Sequence, residues 1–163
     1  MKSLVASLAL LLAVLAGPVA AGTFQGQVVA IVSGDTIKVR DEKLVQHTVR
    51  LAGLDAPEKF QTFAQRCEDS LRELVFQRYV VVDVPRKGAS PQLGKVMLGG
   101  RDINLEQLQL GMAWYDRAHA QDLSAQDRQG YAAAAADARV RRAGLWRDKK
   151  PIPPWEYRQG RRR

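Results

Sequence analysis

The period of the hydrophobic pattern changes at Lys59, and this change constrains the fold of the chain more than any other feature. Before it, residues 24–31, 36–40 and 47–51 alternate apolar and polar side chains, which is typical of β-strands. After it, apolar residues recur at helical spacing along one stripe, which consists of Phe60, Phe63, Ala64, Cys67, Leu71, Leu74 and Val75. The pattern therefore predicts three strands followed by a helix.

The second half of the chain predicts two more strands and then helices. Residues 79–84 and 93–98 are strand-like and flank a loop rich in Gly, Ser and Pro, and residues 104–110 form a short helical pattern. Ser124 followed by Asp127 is typical of a capping box before a long Ala-rich helix, which we expect to end at Gly144. This order of elements predicts an α+β domain, with a small barrel flanked by helices.

The two ends of the chain are expected to differ from this domain. Residues 1–21 contain Lys2, an apolar run and small residues before Gly22, so we expect a signal peptide and export to the periplasm or beyond. A transmembrane anchor is the alternative, but the run is shorter than the ~20 residues of a typical span. We place the domain at residues 22–147 and a basic tail at residues 148–163. Residues 151–155 are proline-rich and are expected to be extended.

The positive charge lies in one part of the sequence. The chain has a formal net charge of +8, yet residues 22–138 carry fourteen basic and fifteen acidic side chains. Residues 139–163 carry ten Lys or Arg and only two acidic residues. Such a segment can hold a polyanion by displacing its counterions. A solubilising tail and a contact with anionic lipid headgroups remain alternatives.

Two short motifs carry the chemistry. Gly34-Asp35-Thr36 lies at a predicted turn, and Arg-Leu-Ala-Gly-Leu-Asp-Ala-Pro-Glu follows at residues 50–58. Together they supply carboxylates for a hard divalent cation, a guanidinium for a phosphate and a carboxylate base for water. This mixture is what hydrolysis of a phosphodiester requires.

The order and spacing of these motifs resemble the staphylococcal-nuclease (thermonuclease) family. Residues 98–105 and 111–114 are also similar to a later segment of that family, so the resemblance extends over nearly all of residues 22–146. It implies a five-stranded OB-type barrel with three helices. It also implies a calcium-dependent nuclease that acts on DNA and RNA.

The resemblance implies a role for several residues. Asp35 and Asp55 match the two calcium-ligating aspartates, and Ala56 retains the main-chain carbonyl that the family uses beside them. Glu58 matches the general base or water-orienting group, and Arg50 matches a phosphate-contacting arginine. The alternatives are turn-forming aspartates, a glutamate that opens the first helix, and an arginine in a structural ion pair with Glu58 or Asp55.

Two departures from the family pattern affect this interpretation. Ser33 stands where many members carry a further aspartate, which implies weaker metal binding. Pro91 stands where members usually carry a loop arginine that stabilises charge on phosphorus. Arg86 and Lys87, a few residues upstream, are candidates to replace it. Losing one such donor costs roughly 10²–10³ in rate.

Further expectations concern nucleic-acid binding. Trp114 and Tyr115 are candidates to stack on bases, although core packing explains Trp114 equally well. Lys87 is a candidate to contact nucleic acid. We interpret the chain as an exported, calcium-dependent nuclease and expect a monomer. The alternative is an OB-fold protein that binds nucleic acid or another polyanion, with catalysis impaired by the loop change at Pro91.

Overall fold

The computed structural model describes residues 22–85 and 90–160. Its strands are β1 (Gly22–Ser33), β2 (Thr36–Asp41), β3 (Gln46–Leu51), β4 (Leu54–Asp55), β5 (Tyr79–Val84), β6 (Gln92–Leu98), β7 (Arg101–Asp102) and β8 (Trp114–Tyr115). Its α-helices are α1 (Ala64–Val75), α2 (Ile103–Gln109), α3 (Ala125–Val140) and α4 (Pro154–Gly160). Short 3₁₀ helices span Arg117–Asp122 and Gly144–Arg147.

Five of the strands close into a barrel. The neighbours run in the order β3-β2-β1-β5-β6, all antiparallel, and a parallel pairing of β3 with β6 joins the two edges. Closure removes the unpaired edges that an open sheet would expose. The predicted α+β class and five-stranded OB-type barrel are thereby confirmed.

The barrel interior is filled by branched aliphatic side chains that point inward from alternate positions. Fully buried examples are Val28, Ile37, Val39, Val49, Leu51, Val82 and Val96. Leu71 and Val75 of α1 and Ile103 and Leu108 of α2 complete the same core. Because β-branched residues pack well on a pleated surface, the strand-like runs of the sequence identify this interior correctly.

Two predicted helix boundaries are wrong. Helix α1 begins at Ala64 rather than near Lys59, because residues 58–63 form turns and Phe63 adopts a left-handed backbone with φ of 71°. Phe60 is therefore not on the buried stripe but is 69% exposed. Helix α3 begins after its predicted cap, Ser124, but ends at Val140 rather than at Gly144.

The C-terminal segment differs most from expectation. Residues 151–155 were expected to be extended, yet α4 begins at Pro154. Proline is compatible with the first turn of a helix because its missing N–H would have no intrahelical partner there. The centre of the Trp155 ring lies 5.6 Å from that of Trp114, so this segment packs on the body of the domain. Residues 1–21, 86–89 and 161–163 lie outside the described part of the chain.

A membrane-spanning segment was also considered for this chain. Within residues 22–85 and 90–160, no helix has the length and apolar character needed to cross a bilayer.

Helix α2 contributes two fully buried amide side chains, Asn104 and Gln107. The Asn104 amide donates to the carbonyls of Ala52 and Gly94, each at 3.1 Å, and accepts from the Val96 N–H at 3.0 Å. It therefore joins the turn after β3 to strand β6.

Gln107, one helical turn later, joins a different turn to α1. Its Nε2 donates to the Gly34 carbonyl at 2.9 Å and to the Cys67 carbonyl at 3.3 Å. Its Oε1 accepts from the Ser70 hydroxyl at 2.7 Å. The two amides thus attach the β1–β2 turn and the β3–β4 turn to one helix.

Replacing Asn104 by Leu should reduce stability by about 1–3 kcal/mol, because a buried N–H and two carbonyls lose a partner. Urea unfolding of the purified protein measures this difference. Gln109→Leu is the matched control, since Gln109 is an exposed amide on the same helix, and it should change stability by no more than ~0.5 kcal/mol. Equal effects of the two substitutions would contradict a bracing role for Asn104.

Cys67 should be chemically inert in the folded protein. Burial, with the negative charge of Asp35 as a smaller cause, raises the pKa of the Cys67 thiol to about 12. At pH 8 almost no thiolate is present, so a disulfide reagent should modify Cys67 only when urea unfolds the chain. A Cys67→Ser variant gives the background signal, and rapid labelling of the native protein would argue against this burial.

Candidate active site

Asp35 lies in the turn between β1 and β2 and is 6% exposed. Its Oδ1 accepts hydrogen bonds from the hydroxyls of Ser33 at 2.7 Å and Thr36 at 2.8 Å. Its Oδ2 accepts from the Ala56 N–H at 3.2 Å. Ser33, where the sequence resemblance implies a further aspartate, therefore helps to orient the Asp35 carboxylate.

Gly34 allows this turn to lie directly against α1. A Cβ at this position would lie 2.6 Å from the Cβ of Cys67 and 2.9 Å from that of Ala56. Any side chain would therefore push the turn away from the helix. The glycine of Gly-Asp-Thr is needed for a close approach, and that approach sets the depth of Asp35.

Asp55 lies on β4, which pairs with β8 through Asp55 and Trp114. It is only 2% exposed. Burial raises the pKa of its carboxyl group, and hydrogen bonding and charge from Arg158 and Arg50 oppose that rise. Asp55 is thus a buried carboxylate whose charge depends on nearby cations.

Arg50 joins the two aspartates. From the end of β3 its Nη2 donates to Asp55 Oδ1 at 2.9 Å and its Nε lies 3.3 Å from Asp35 Oδ2. The anticipated structural ion pair of Arg50 with Asp55 is therefore present. About 30% of the Arg50 side chain remains exposed, and the residue lines an open cleft.

Glu58 lies after β4, in the turns that precede α1. Its N–H donates to Gln61 Oε1 at 2.7 Å, and its carboxylate is about one-third exposed. Because α1 begins only at Ala64, the alternative that Glu58 opens this helix is wrong. Its carboxylate instead faces the same open cleft as the two aspartates.

Arg158 of α4 reaches this cleft from the far end of the chain. Its Nη1 and Nη2 lie 3.1 and 2.7 Å from the two oxygens of Asp55. Nη1 also donates to Glu58 Oε1 at 2.7 Å. The sequence analysis did not identify Arg158, because the segment was interpreted as an extended tail. The helix-compatible Pro154 was the signal that favoured a helix there.

These groups surround an open cleft of about 740 Å³. Its lining includes Asp35, Arg50, Asp55, Glu58, Pro91 and Arg158. The structure thus brings together four candidates from the sequence analysis, which are Asp35, Arg50, Asp55 and Glu58. Pro91, where the sequence resemblance implies an arginine, lies on the same cleft.

The other candidates do not join this group. The Trp114 ring packs between those of Trp146, at 4.4 Å, and Trp155, at 5.6 Å, and lines a different pocket. Tyr115 packs against the core. Arg86 and Lys87 lie outside the described residues, so the structure does not place them.

The donor atoms suit a hard divalent cation in chemical type. Two buried carboxylates, Asp35 and Asp55, are bridged by the guanidinium of Arg50 and so lie close together. The guanidinium of Arg158 already contacts both oxygens of Asp55. In the described residues, no set of three or more His, Cys, Asp or Glu side chains is arranged to hold a metal. The protein would therefore supply two carboxylates, with main-chain and water oxygens completing the shell.

Comparison with known proteins gives the family. A family model of the staphylococcal nuclease homologues matches residues 48–148, which include Arg50, Asp55 and Glu58. The chain belongs to the staphylococcal nuclease homologue family. The resemblance inferred from the sequence motifs is therefore confirmed.

Bacterial relatives match this family member over most of their length. It is 36% identical to Protein ParB of Escherichia coli over 166 residues, which covers 94% of this chain and 89% of that protein. It is also 36% identical to a micrococcal nuclease of Shigella flexneri, covering 83% of this chain and 81% of the relative. An uncharacterized endonuclease of Haemophilus influenzae is 35% identical over 82% of this chain and 72% of its own.

Gly34→Ala should destabilise this nuclease homologue by about 1–3 kcal/mol, because the added methyl group overpacks the contact between the turn and α1. Gly130→Ala is the contrasting control, since Gly130 lies in α3 and a Cβ there meets nothing within 4 Å. That change should stabilise by up to ~1 kcal/mol. Urea midpoints of the two variants test the pair, and a Gly34→Ala protein as stable as wild type would refute the close approach.

Proposed function

We propose that the chain is an exported, calcium-dependent phosphodiesterase that hydrolyses DNA and RNA as an endonuclease, with little sequence preference. Its membership of a nuclease family places it among the hydrolases.

The observation that carries the proposal is one charged cluster in the cleft. Arg50 contacts Asp35 and Asp55, and Arg158 contacts Asp55 and Glu58. Three carboxylates and two guanidiniums have a formal charge of −1. A divalent cation would change this to +1, which matches the single negative charge of a phosphodiester.

Asp35, Asp55 and the carbonyl of Ala56 would hold the calcium ion. The pair of buried carboxylates fits such a cation in donor chemistry, while the small number of protein ligands implies modest affinity. When bound, the cation would polarise the phosphate and lower the pKa of a nearby water.

Glu58 and Arg50 would act directly on the reacting groups. The water oxygen forms a bond to phosphorus, its proton passes to the Glu58 carboxylate, and the P–O ester bond breaks. The leaving oxygen takes a proton from solvent. Arg50 binds two phosphoryl oxygens with its planar fork, which a lysine would do less well.

The basic C-terminal segment supports a broad substrate range. Arginine and lysine contacts to phosphates raise the local concentration of nucleic acid without reading its sequence. Export is supported by the composition of residues 1–21, and we propose cleavage before Gly22.

A binding protein that has lost catalysis remains the competing function. The observation that favours it is Pro91, an uncharged side chain on the cleft where family members usually carry an arginine. This function predicts salt-sensitive binding of nucleic acid that is independent of metal and is not followed by cleavage.

Cleavage of a quenched fluorescent oligonucleotide tests the proposal. The full-length chain is expressed, and the purified protein is assayed on single-stranded DNA and on RNA, first with calcium and then with a chelator. We expect cleavage with calcium and none with the chelator. Glu58→Gln should lower kcat by ~10²–10⁴, which is the usual contribution of a general base.

Glu73→Gln is the control for this assay, because Glu73 is an exposed carboxylate on α1 outside the cleft. It should retain wild-type activity. Binding without cleavage in calcium would identify the competing binding protein. Cleavage of the oligonucleotide that persists in the chelator would exclude calcium dependence.

The mass of the purified protein tests the proposed removal of residues 1–21 before Gly22.

A further inference from the structure

The basic C-terminal segment places one guanidinium in the cleft. Among the described residues, the cations that line the cleft are Arg50, Lys59 and Arg158. Lys59 is exposed, with its ammonium 5.8 Å from the ring centre of Phe60. Of these three cations, Arg50 and Arg158 form the ion pairs with Asp35 and Asp55, and they lie far apart in the sequence.

Helix α4 is held in position rather than loosely attached. Pro154 is buried, and Trp155 packs edge-on against Trp114. Just before the helix, the Ile152 carbonyl accepts a hydrogen bond of 2.9 Å from Gln61. The same Gln61 accepts from the N–H of Glu58 at 2.7 Å. The segment that carries Arg158 is therefore attached to the segment that carries Glu58.

Arg158 lies on the cleft that also contains Pro91. Among the described residues of this loop, Pro91 lines the cleft and carries no charge, whereas a phosphoryl group gains negative charge as water attacks it. Without Arg158, the cluster with a bound divalent cation would be formally neutral. It would then offer no net positive charge to the negative phosphoryl group in the transition state. With Arg158, one positive charge is available for the phosphoryl oxygens.

We propose that Arg158 is the second catalytic arginine of this nuclease and stabilises the charge that develops on the phosphoryl oxygens. Its Nη atoms exchange their bonds to Asp55 for bonds to the substrate, and Glu58 keeps the guanidinium beside the reacting phosphorus. This inference rests on the proposed function. It assigns to the C-terminal helix the charge that family members usually supply from the loop.

The test is the kinetics of Arg158→Ala, measured at saturating calcium with the oligonucleotide substrate. We expect kcat to fall by ~10²–10³, as for loss of one donor to the transition state, with a smaller change in KM. Arg158→Lys should recover only part of kcat, because a lysine keeps the charge but not the fork. Low concentrations of guanidinium ion should restore part of the rate to Arg158→Ala alone.

Calcium binding, measured by calorimetry without substrate, separates catalysis from a structural role. Removing Arg158 removes a cation that competes for Asp55, so calcium affinity should stay equal or rise while kcat falls. Loss of both calcium affinity and kcat, without guanidinium rescue, would show a structural role and overturn the proposal. A higher kcat would overturn it too, since Arg158 would then be an autoinhibitory occupant.

Two controls keep the outcome interpretable. Arg78→Ala removes an exposed arginine between α1 and β5, outside both the cleft and the basic C-terminal segment, and should leave kcat unchanged. If Arg158→Ala does not fold, Arg158→Gln, which retains hydrogen-bond donors, is assayed in the same way. A cleaving wild type with unchanged Arg158 variants refutes the Arg158 assignment alone. A wild type that binds but does not cleave refutes the proposed function and this inference with it.

Discussion

Two buried amides on one helix set the positions of both acidic turns. Gln107 holds the carbonyl of Gly34, beside Asp35, and Asn104 holds that of Ala52, three residues before Asp55. Buried carbonyls need such partners, because an unpaired one costs about 1–3 kcal/mol. The geometry of the two aspartates therefore depends on α2, which contributes no side chain to the cleft.

The cleft brings buried charged side chains together, although the net charge of the body is close to zero. Residues 22–138 are close to neutral, yet Asp35 and Asp55 are almost completely buried. Burying a carboxylate is costly unless a cation is paired with it, and Arg50 and Arg158 are the paired cations here. If the aspartates bound a metal ion and the arginines bound a phosphate, each charged group would again have a partner of opposite sign. The ion pairs of the cleft are in this way connected to the proposed reaction.

The sequence predicted the barrel and most of the cleft because both depend on local patterns. Alternating residues identified the first three barrel strands, and strand-like runs identified the other two. The motifs around Asp35 and Asp55 lie at strand ends, where short turns fix the side chains. Ser124 was correctly identified as a cap because capping is a local hydrogen bond. The start of α1 was missed because Phe60 is apolar yet exposed, which hydrophobic periodicity cannot distinguish from a buried position.

By itself, the sequence determined the class of fold and identified two carboxylate turns and Arg50 as candidates, with Pro91 where the family resemblance implies an arginine. Only the tertiary structure showed that Arg158 lines the same cleft as Pro91. Arg158 is 103 residues from Asp55 along the chain, and its placement depends on packing of Pro154 and Trp155 against the body. A contact over such a separation arises from barrel closure and helix docking, and no local periodicity or spacing encodes it.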